Sequence, residues 1–397
     1  MAAFLHVVLA ITALQSVLLA LWQHALALRF AFQQDTPPRS LSHGPAPSIS
    51  VLKPLKGHDH ETAKNLESWL AQEYPAGFEI LFGVASAEDP VGDVVREAMS
   101  RHSRASARLI LCPPNGAANP KVSTLTQLEA VSAHGTLVVS DADVRVSPHC
   151  LAHLARTLVE PGAGLAHSIY RLQAPGGWGG RIESVGVNAD FWPQVLQARS
   201  FGMLDFALGA VMCLRRETLK GIGGFQAIQD HLADDFQLGN RISRRGLRIE
   251  LAPTRVECWG SGGSLGETWA HMLRWTRTVR ACKPGPFFLS ILGNQTLWPL
   301  LWAATTRSAL SWSLMATWIV ARVLLASARI QKLSGRSDAP TDAWLAPAHD
   351  LVQAALWLAA HFGRTVRWAG KAYAVGEGGK MTLLPGEASR NWERAPG

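Results

Sequence analysis

The chain has 397 residues, but only 17% of them are charged, and its five cysteines form no C-x-x-C pair. Each shortage excludes something. An odd, scattered set (Cys112, Cys150, Cys213, Cys258, Cys282) lacks both disulfide parity and zinc-ligand spacing, so buried thiols in a reducing compartment are expected. Few charges beside 48% hydrophobic residues exclude a disordered chain. No internal repeat is visible. The net charge of +8 is missing from the first two thirds: residues 1–265 hold 23 Lys+Arg and 23 Asp+Glu, leaving 15 and 7 for the rest. A nucleic-acid partner is therefore not expected, because its footprint would be a basic face on the folded domain. Eleven of the fifteen tryptophans lie at or after Trp259, among long apolar runs. Basic excess and tryptophan together point to a membrane surface, where both anchor at headgroup depth.

Ala2 to Leu28 carries no formal charge and ends at Arg29. At about 1.5 Å per residue it can cross the roughly 30 Å hydrocarbon core. Without a basic n-region it is expected to be a retained transmembrane helix over residues 1–29 and not a cleaved signal. Arg29, Arg39, Lys53 and Lys56 follow it, so the positive-inside rule puts the next domain in the cytoplasm, against the cytoplasmic membrane. QQDTPPRSLSHGPAPS (33–48) reads as an extended tether, which makes 30–47 a linker. Beyond Pro286, the runs 286–306 and 308–328 are each long enough to span, predicting two more transmembrane helices over 286–330 and a multi-pass anchor. Arg322 inside the second run has three readings: it snorkels, it faces a protein-lined cavity, or the segment lies shallow. LVQAALWLAAHF (351–362) is too short to cross and is expected to be interfacial or re-entrant, within a 331–397 region that ends as a cytoplasmic tail.

Residues 48–285 form one expected domain. Short apolar runs at 49–55, 78–86, 107–112, 136–144 and 162–170 alternate with helical patterns at 61–72 and 119–134. That spacing predicts βαβ units and an α/β fold with a mostly parallel sheet. Ligands in such sheets bind beyond the carboxyl ends of the strands, which directs attention to the polar residues after each run.

Three windows carry chemistry. LVVSDADVRV (137–146) ends a buried-strand pattern in Asp141 and Asp143, whose i, i+2 spacing in an extended chain puts both carboxylates on one face. Two adjacent anions call for a cation, and Mg²⁺ or Mn²⁺ bridging to a diphosphate suits them better than a solvated turn does. DHLADDFQLGNRISRRG (230–246) reads as a helix with Asp234 and Asp235 at its start. They either complement the helix dipole or include a general base for an attacking hydroxyl. WAHMLRWTRTVR (269–280) spaces Arg274, Arg277 and Arg280 every third residue around Trp275. Such a helix either rests on anionic lipid or neutralises a departing diphosphate while the indole packs on a sugar or lipid ring.

In order and spacing, SVLKPLKG (50–57), EILFGVASAEDP (79–90), NPKVSTL (119–125), VVSDADVRV (138–146), LGAVMCLRRETLKGIGGF (208–225), LADDFQLG (232–239) and HMLRWTRTVR (271–280) resemble the ceramide glucosyltransferase family. Within it, they are most similar to bacterial hopanoid-biosynthesis-associated glycosyltransferases. The resemblance runs from about Ser48 to Arg280, with tail support at 344–362. It implies a GT-A fold, a UDP-sugar donor, a divalent metal, inversion at the anomeric carbon and a membrane-lipid hydroxyl as acceptor. By position, Asp89 matches the aspartate that contacts the uridine part of the donor, and Asp141 and Asp143 match the metal-binding D-x-D. Lys121 in NPKVSTL joins the donor-binding positions, Asp235 matches the catalytic base, and Arg274 with Trp275 match the R-W of the (Q/R)-x-x-R-W motif. His271 stands where that motif has Gln or Arg, Ala369 interrupts a W-R-G pattern, and VECWGSGG (256–263) is an unusually glycine-rich loop. These departures concern acceptor contacts. Glucose or N-acetylglucosamine passed to a hopanoid polyol is the expected reaction; transfer to ceramide, or an inactive membrane scaffold keeping the fold, are the alternatives.

Overall fold

The computed structural model describes residues 2–32, 45–173, 176–202, 204–260, 264–335 and 342–385. Most of the expected tether (33–44), residues 261–263 of the expected glycine-rich loop and the expected tail beyond 385 lie outside them, while the start of that loop, 256–259, is strand. Eight strands build one sheet: β1 (Ile49–Leu55), β2 (Phe78–Val84), β3 (Ala107–Leu111), β4 (Thr136–Ser140), β5 (Val144–Arg145), β6 (Ala163–Gln173), β7 (Val211–Arg215) and β8 (Arg248–Trp259). Their order is β3-β2-β1-β4-β7-β6-β8-β5. The first four run parallel, as does β6 with β8, while β7 is antiparallel to both of its neighbours.

The predicted runs coincide with β1, β2, β3, β4 and β6, because strands covered on both faces read as continuous apolar segments. Ile49, Val51, Phe82, Val138 and Val211 are wholly buried in the resulting core. Helix Pro120–Val131 lies close on the sheet: a Cβ at Gly83 would stand 2.5 Å from Thr124 Cγ2, so glycine permits the approach. Strands β2 and β3 are added on one side of β1 and β4 on the other, so the strand order reverses between β1 and β4. In a sheet of this kind the crevice at the carboxyl ends of those two strands is the ligand site.

By compactness the chain divides into two units. One holds this sheet and residues 365–397, whose strands β9 (Thr365–Trp368), β10 (Lys371–Val375) and β11 (Met381–Leu383) form a small antiparallel sheet. The other gathers 1–31, 174–202 and 262–364, and among its described residues it is helical. In this second unit, Phe4–Arg29 and Ala309–Ser334 are each 26 residues and apolar enough to cross a membrane.

The run 286–306, expected to span, is broken into Pro284–Ser290, a 3-10 turn Ile291–Gly293 and Leu297–Thr306. At the break the Asn294 side-chain oxygen accepts the N–H groups of Thr296 and Leu297, at 3.3 and 2.8 Å, where the second helix begins. Ten residues then rise only about 15 Å, half of a hydrocarbon core. The short run at 351–362 is part of helix Ala346–Ala360.

Candidate active site

β4 ends at Ser140, and the next residues turn, with Val144 N donating to Asp141 O at 3.4 Å. Asp141 and Asp143 are thus presented by a turn at the strand's carboxyl end and not by the pleat of an extended chain, which corrects the i, i+2 argument. Beneath the turn lies Lys53 of β1, fully buried. Its ammonium donates to Ser140 Oγ at 3.3 Å and to the carbonyl of Asp141, and it sits 5.5 Å from the centre of the Trp69 ring. Trp69 Nε1 in turn donates to Val144 O at 3.1 Å. Burial pulls the Lys53 ammonium down to about 8 against the opposing charges of Asp143 and Asp141. By its position after the first apolar helix, Lys53 is expected among the charges flanking the membrane. A wholly buried side chain cannot serve there, and the signal available was a lysine inside an otherwise apolar strand.

Lys121 reaches the same region from the other side. Asn119 caps helix Pro120–Val131 by accepting from Val122 N at 3.1 Å, and its amide donates to His231 O at 2.8 Å. That bond ties the helix start to the loop before Asp234. Lys121, second residue of the helix, places Nζ 2.6 Å from Asp141 Oδ1 and 2.9 Å from Asp234 Oδ2. Burial alone would lower its pKa, but the charges of Asp141 and Asp234 hold it above the ordinary lysine value. Asp235 opens helix Asp234–Ser243 beside Asp234 and accepts Phe236 N at 2.7 Å. Burial and the Asp234 charge push its carboxyl up to about 7, with Lys121 opposing. Asp143 is raised to about 6 by burial and then by Asp141.

The small C-terminal sheet, absent from the sequence reading, supports this loop. Asp230 O accepts Met381 N at 2.7 Å, Leu232 N donates to Gly379 O at 2.9 Å, and Gln237 Nε2 donates to Gly378 O at 2.7 Å. Asp141, Asp143, Asp234 and Asp235 thus share a region with two ammonium groups, a formal surplus of two negative charges. Asp141 keeps 37% of its side chain exposed, so a ligand can reach it. An all-oxygen set with that surplus fits a hard divalent cation.

The remaining expected residues are held by contacts of their own. Both oxygens of Asp89 accept from Gly57 N (3.0 and 3.2 Å), and Oδ1 also from Val91 N at 3.1 Å. The carboxylate thereby closes the turn after β1, where Gly57 has φ of 63°. Arg274 and Trp275 lie on helix Leu265–Cys282 in the second unit. There His271 Nδ1 is 2.7 Å from Glu183 Oε1, and its ring centre lies 4.7 Å from that of Trp275. Arg277 and Arg280 donate to Phe362 O and Gly363 O, at 2.8 and 3.2 Å. Two of the three stripe arginines therefore satisfy carbonyls at the end of helix Ala346–Ala360.

The second unit also answers the question of Arg322. It is fully buried and donates to Asp350 (2.9 and 3.0 Å) and to Asp190 Oδ2 (2.7 Å). Arg329 donates to Asp190 Oδ1 at 3.1 Å and to Ala20 O at 2.6 Å. Of the three readings, the protein-lined one holds. Asp190 sits on a π-helical turn, Gly186–Phe191. Among the described residues, Asp190, His349 and Asp350 bring ligand-type atoms within 4.8 Å of one another. Two guanidinium groups already balance the two carboxylates, however, so this set works as an ion-pair network more readily than as a cation site.

The sequence profile of glycosyl transferase family 21 matches residues 5–381. Ceramide glucosyltransferase 1 of Caenorhabditis elegans is 24% identical over 208 residues, covering 52% of this chain and 44% of that protein. Ceramide glucosyltransferase 3 of the same organism is 22% identical over 249 residues, covering 60% and 52%. The match thus spans about half the length of these curated relatives. Among solved structures, a mannosyltransferase from Pyrobaculum calidifontis in complex with GDP-Man and Mn²⁺ aligns over 90% of this chain and 99% of its own, with a TM-score of 0.55 and 19% identity. That likeness shows the GT-A fold.

Proposed function

This chain belongs to glycosyl transferase family 21, and from that premise we propose that it moves a hexose from a UDP-sugar to a hydroxyl of a membrane lipid, inverting the anomeric carbon. The observation that carries the reading is Asp235, a carboxyl raised to about 7 beside the Lys121, Asp141 and Asp234 cluster. A base of that strength suits proton removal from an alcohol near neutral pH. Asp141 and Asp143 would hold Mg²⁺ or Mn²⁺, which would supply charge compensation for the leaving diphosphate. Lys121 would bind the same diphosphate. Asp235 takes the proton from the acceptor oxygen as it attacks, and a single displacement gives inversion. Asp89, which orders the turn after β1, is assigned to the uridine end on the family motif. Arg274 and Trp275 are assigned to diphosphate and acceptor contacts on the motif alone, with Glu183 orienting His271 beside them.

The acceptor we propose is a polyhydroxylated hopanoid, and the sugar glucose or N-acetylglucosamine. The second reading, ceramide as acceptor, is favoured by the names of the relatives. The proposed site is the cytoplasmic face of the cytoplasmic membrane, supported by the two long apolar helices. Lipid extracts of cells with and without the gene, compared by mass spectrometry, test the reaction. A glycolipid that disappears with the gene and is remade by the purified protein from a UDP-sugar supports it. Unchanged lipids together with no transfer or donor hydrolysis would leave the inactive scaffold as the answer.

A further inference from the structure

We propose that Lys121 is a displaceable counter-ion: it holds the space between Asp141 and Asp234 until a divalent cation arrives, then passes to the diphosphate of the donor. The inference rests on the donor and metal reading above and adds a coupling between the two ligands.

Two independent features point to it. Lys121 Nζ contacts one carboxylate from each acidic motif, 2.6 Å from Asp141, which the reading above assigns to the cation, and 2.9 Å from Asp234. A lysine in the first turn of a helix is also misplaced with respect to the helix dipole, whose N-terminal end favours anions. Here the two carboxylates compensate that misfit. Once a cation takes the charge of Asp141, the ammonium and the helix N-terminus form a joint positive end that needs a new anion. A diphosphate supplies one. The helix start itself stays fixed, because Asn119 is bonded to His231 O and Ala118 N to Asp230 Oδ1 at 3.2 Å. Movement is confined to the flexible lysine stem. Lys53 cannot play this part, being fully buried and committed to Ser140 and the carbonyl of Asp141.

The consequence is cooperativity. A cation arriving alone must displace an ammonium that has nowhere to go, and a diphosphate arriving alone must take that ammonium from its carboxylates. Arriving together, each removes the other's cost, and linkage makes the benefit reciprocal. Calorimetry on the full-length protein in detergent, titrating Mn²⁺ alone, UDP alone and UDP at saturating Mn²⁺, reads this directly. Wild type is expected to bind UDP at least about tenfold tighter with Mn²⁺ than without it, a typical size for such coupling. Lys121→Met is expected to bind Mn²⁺ alone about tenfold tighter than wild type, and UDP at saturating Mn²⁺ about tenfold weaker. Lys121→Arg, which keeps the charge, should leave Mn²⁺ binding near wild type. Equal or weaker Mn²⁺ binding by Lys121→Met overturns the inference, as does additive binding by wild type, a result that needs no variant to fold. Inorganic diphosphate run beside UDP separates the two ideas: coupling of Mn²⁺ to diphosphate without UDP binding would overturn the donor assignment and leave the lysine exchange standing.

Discussion

Gly209 leaves the space that Asp235 occupies: a Cβ at position 209 would stand 3.0 Å from Asp235 Oδ2 and 3.3 Å from its Cγ. The helix bearing Asp235 is pressed against the same stretch of chain, since a Cβ at Gly239 would come within 2.3 Å of Ala207 N. The carboxylate is therefore aimed by backbone on one side and by its bond to Phe236 N on the other. Gly209→Ala should move it by a fraction of an ångström without unfolding the sheet. Turnover is expected to fall about tenfold, since small misplacements of a reacting group are costly. Thermal unfolding should change little. An alanine variant with wild-type kcat would show that Asp235 tolerates displacement and is no base.

Asp235→Asn removes the proton acceptor while keeping shape and the Phe236 N–H bond. A loss of about 10² to 10⁴-fold in turnover is expected, the usual worth of a general base. UDP binding measured by calorimetry should persist. Near-normal turnover would contradict the assignment.

Asp143→Ala takes one carboxylate from the turn after β4. The metal-dependent part of UDP binding should weaken, whereas binding in the presence of a chelator should not. If titrations with and without Mn²⁺ differ as much in the variant as in wild type, the cation sits elsewhere, and Asp190, His349 and Asp350 become the residues to test.

Asp190→Ala strips a buried carboxylate from Arg322 and Arg329. Removing one partner of a buried ion pair typically costs about 3–5 kcal/mol, because the remaining charge stays uncompensated. The detergent-solubilised variant should unfold at markedly lower temperature, and Asp190→Ala with Arg329→Met should recover part of the loss. A double variant no more stable than the single one would show that uncompensated charge is not the cause.

Much of the α/β unit was readable one segment at a time. The runs that became β1 to β4 and β6 are locally apolar, and helices Thr62–Leu70 and Val91–Arg101 between them are amphipathic. The spacing of Asp141 and Asp143 was readable too, although a turn and not a strand pleat sets their geometry. The run 286–306 misled because hydropathy averages over Asn294, whose side chain takes up backbone N–H groups of Thr296 and Leu297 where the helix is interrupted. The strands at 365–383 were too short and too polar to stand out, and their place is set by hydrogen bonds to residues more than a hundred positions earlier.

By itself the sequence determined five strands of the large sheet, the two long apolar helices and the residue types at the ends of those strands, because propensity and periodicity act over a few residues. Only the tertiary structure decided which charges meet. Lys53 looked like a flanking charge and is a buried support. Arg322 looked like a flaw in a transmembrane run and is paired with Asp190, 132 positions away, and with Asp350. Lys121 had no partner that spacing could name until the fold brought Asp141 and Asp234 within 3 Å of it. The physical reason is common to all three: a charge in a low-dielectric interior is tolerable only beside its counter-charge, and chain distance carries no information about that pairing.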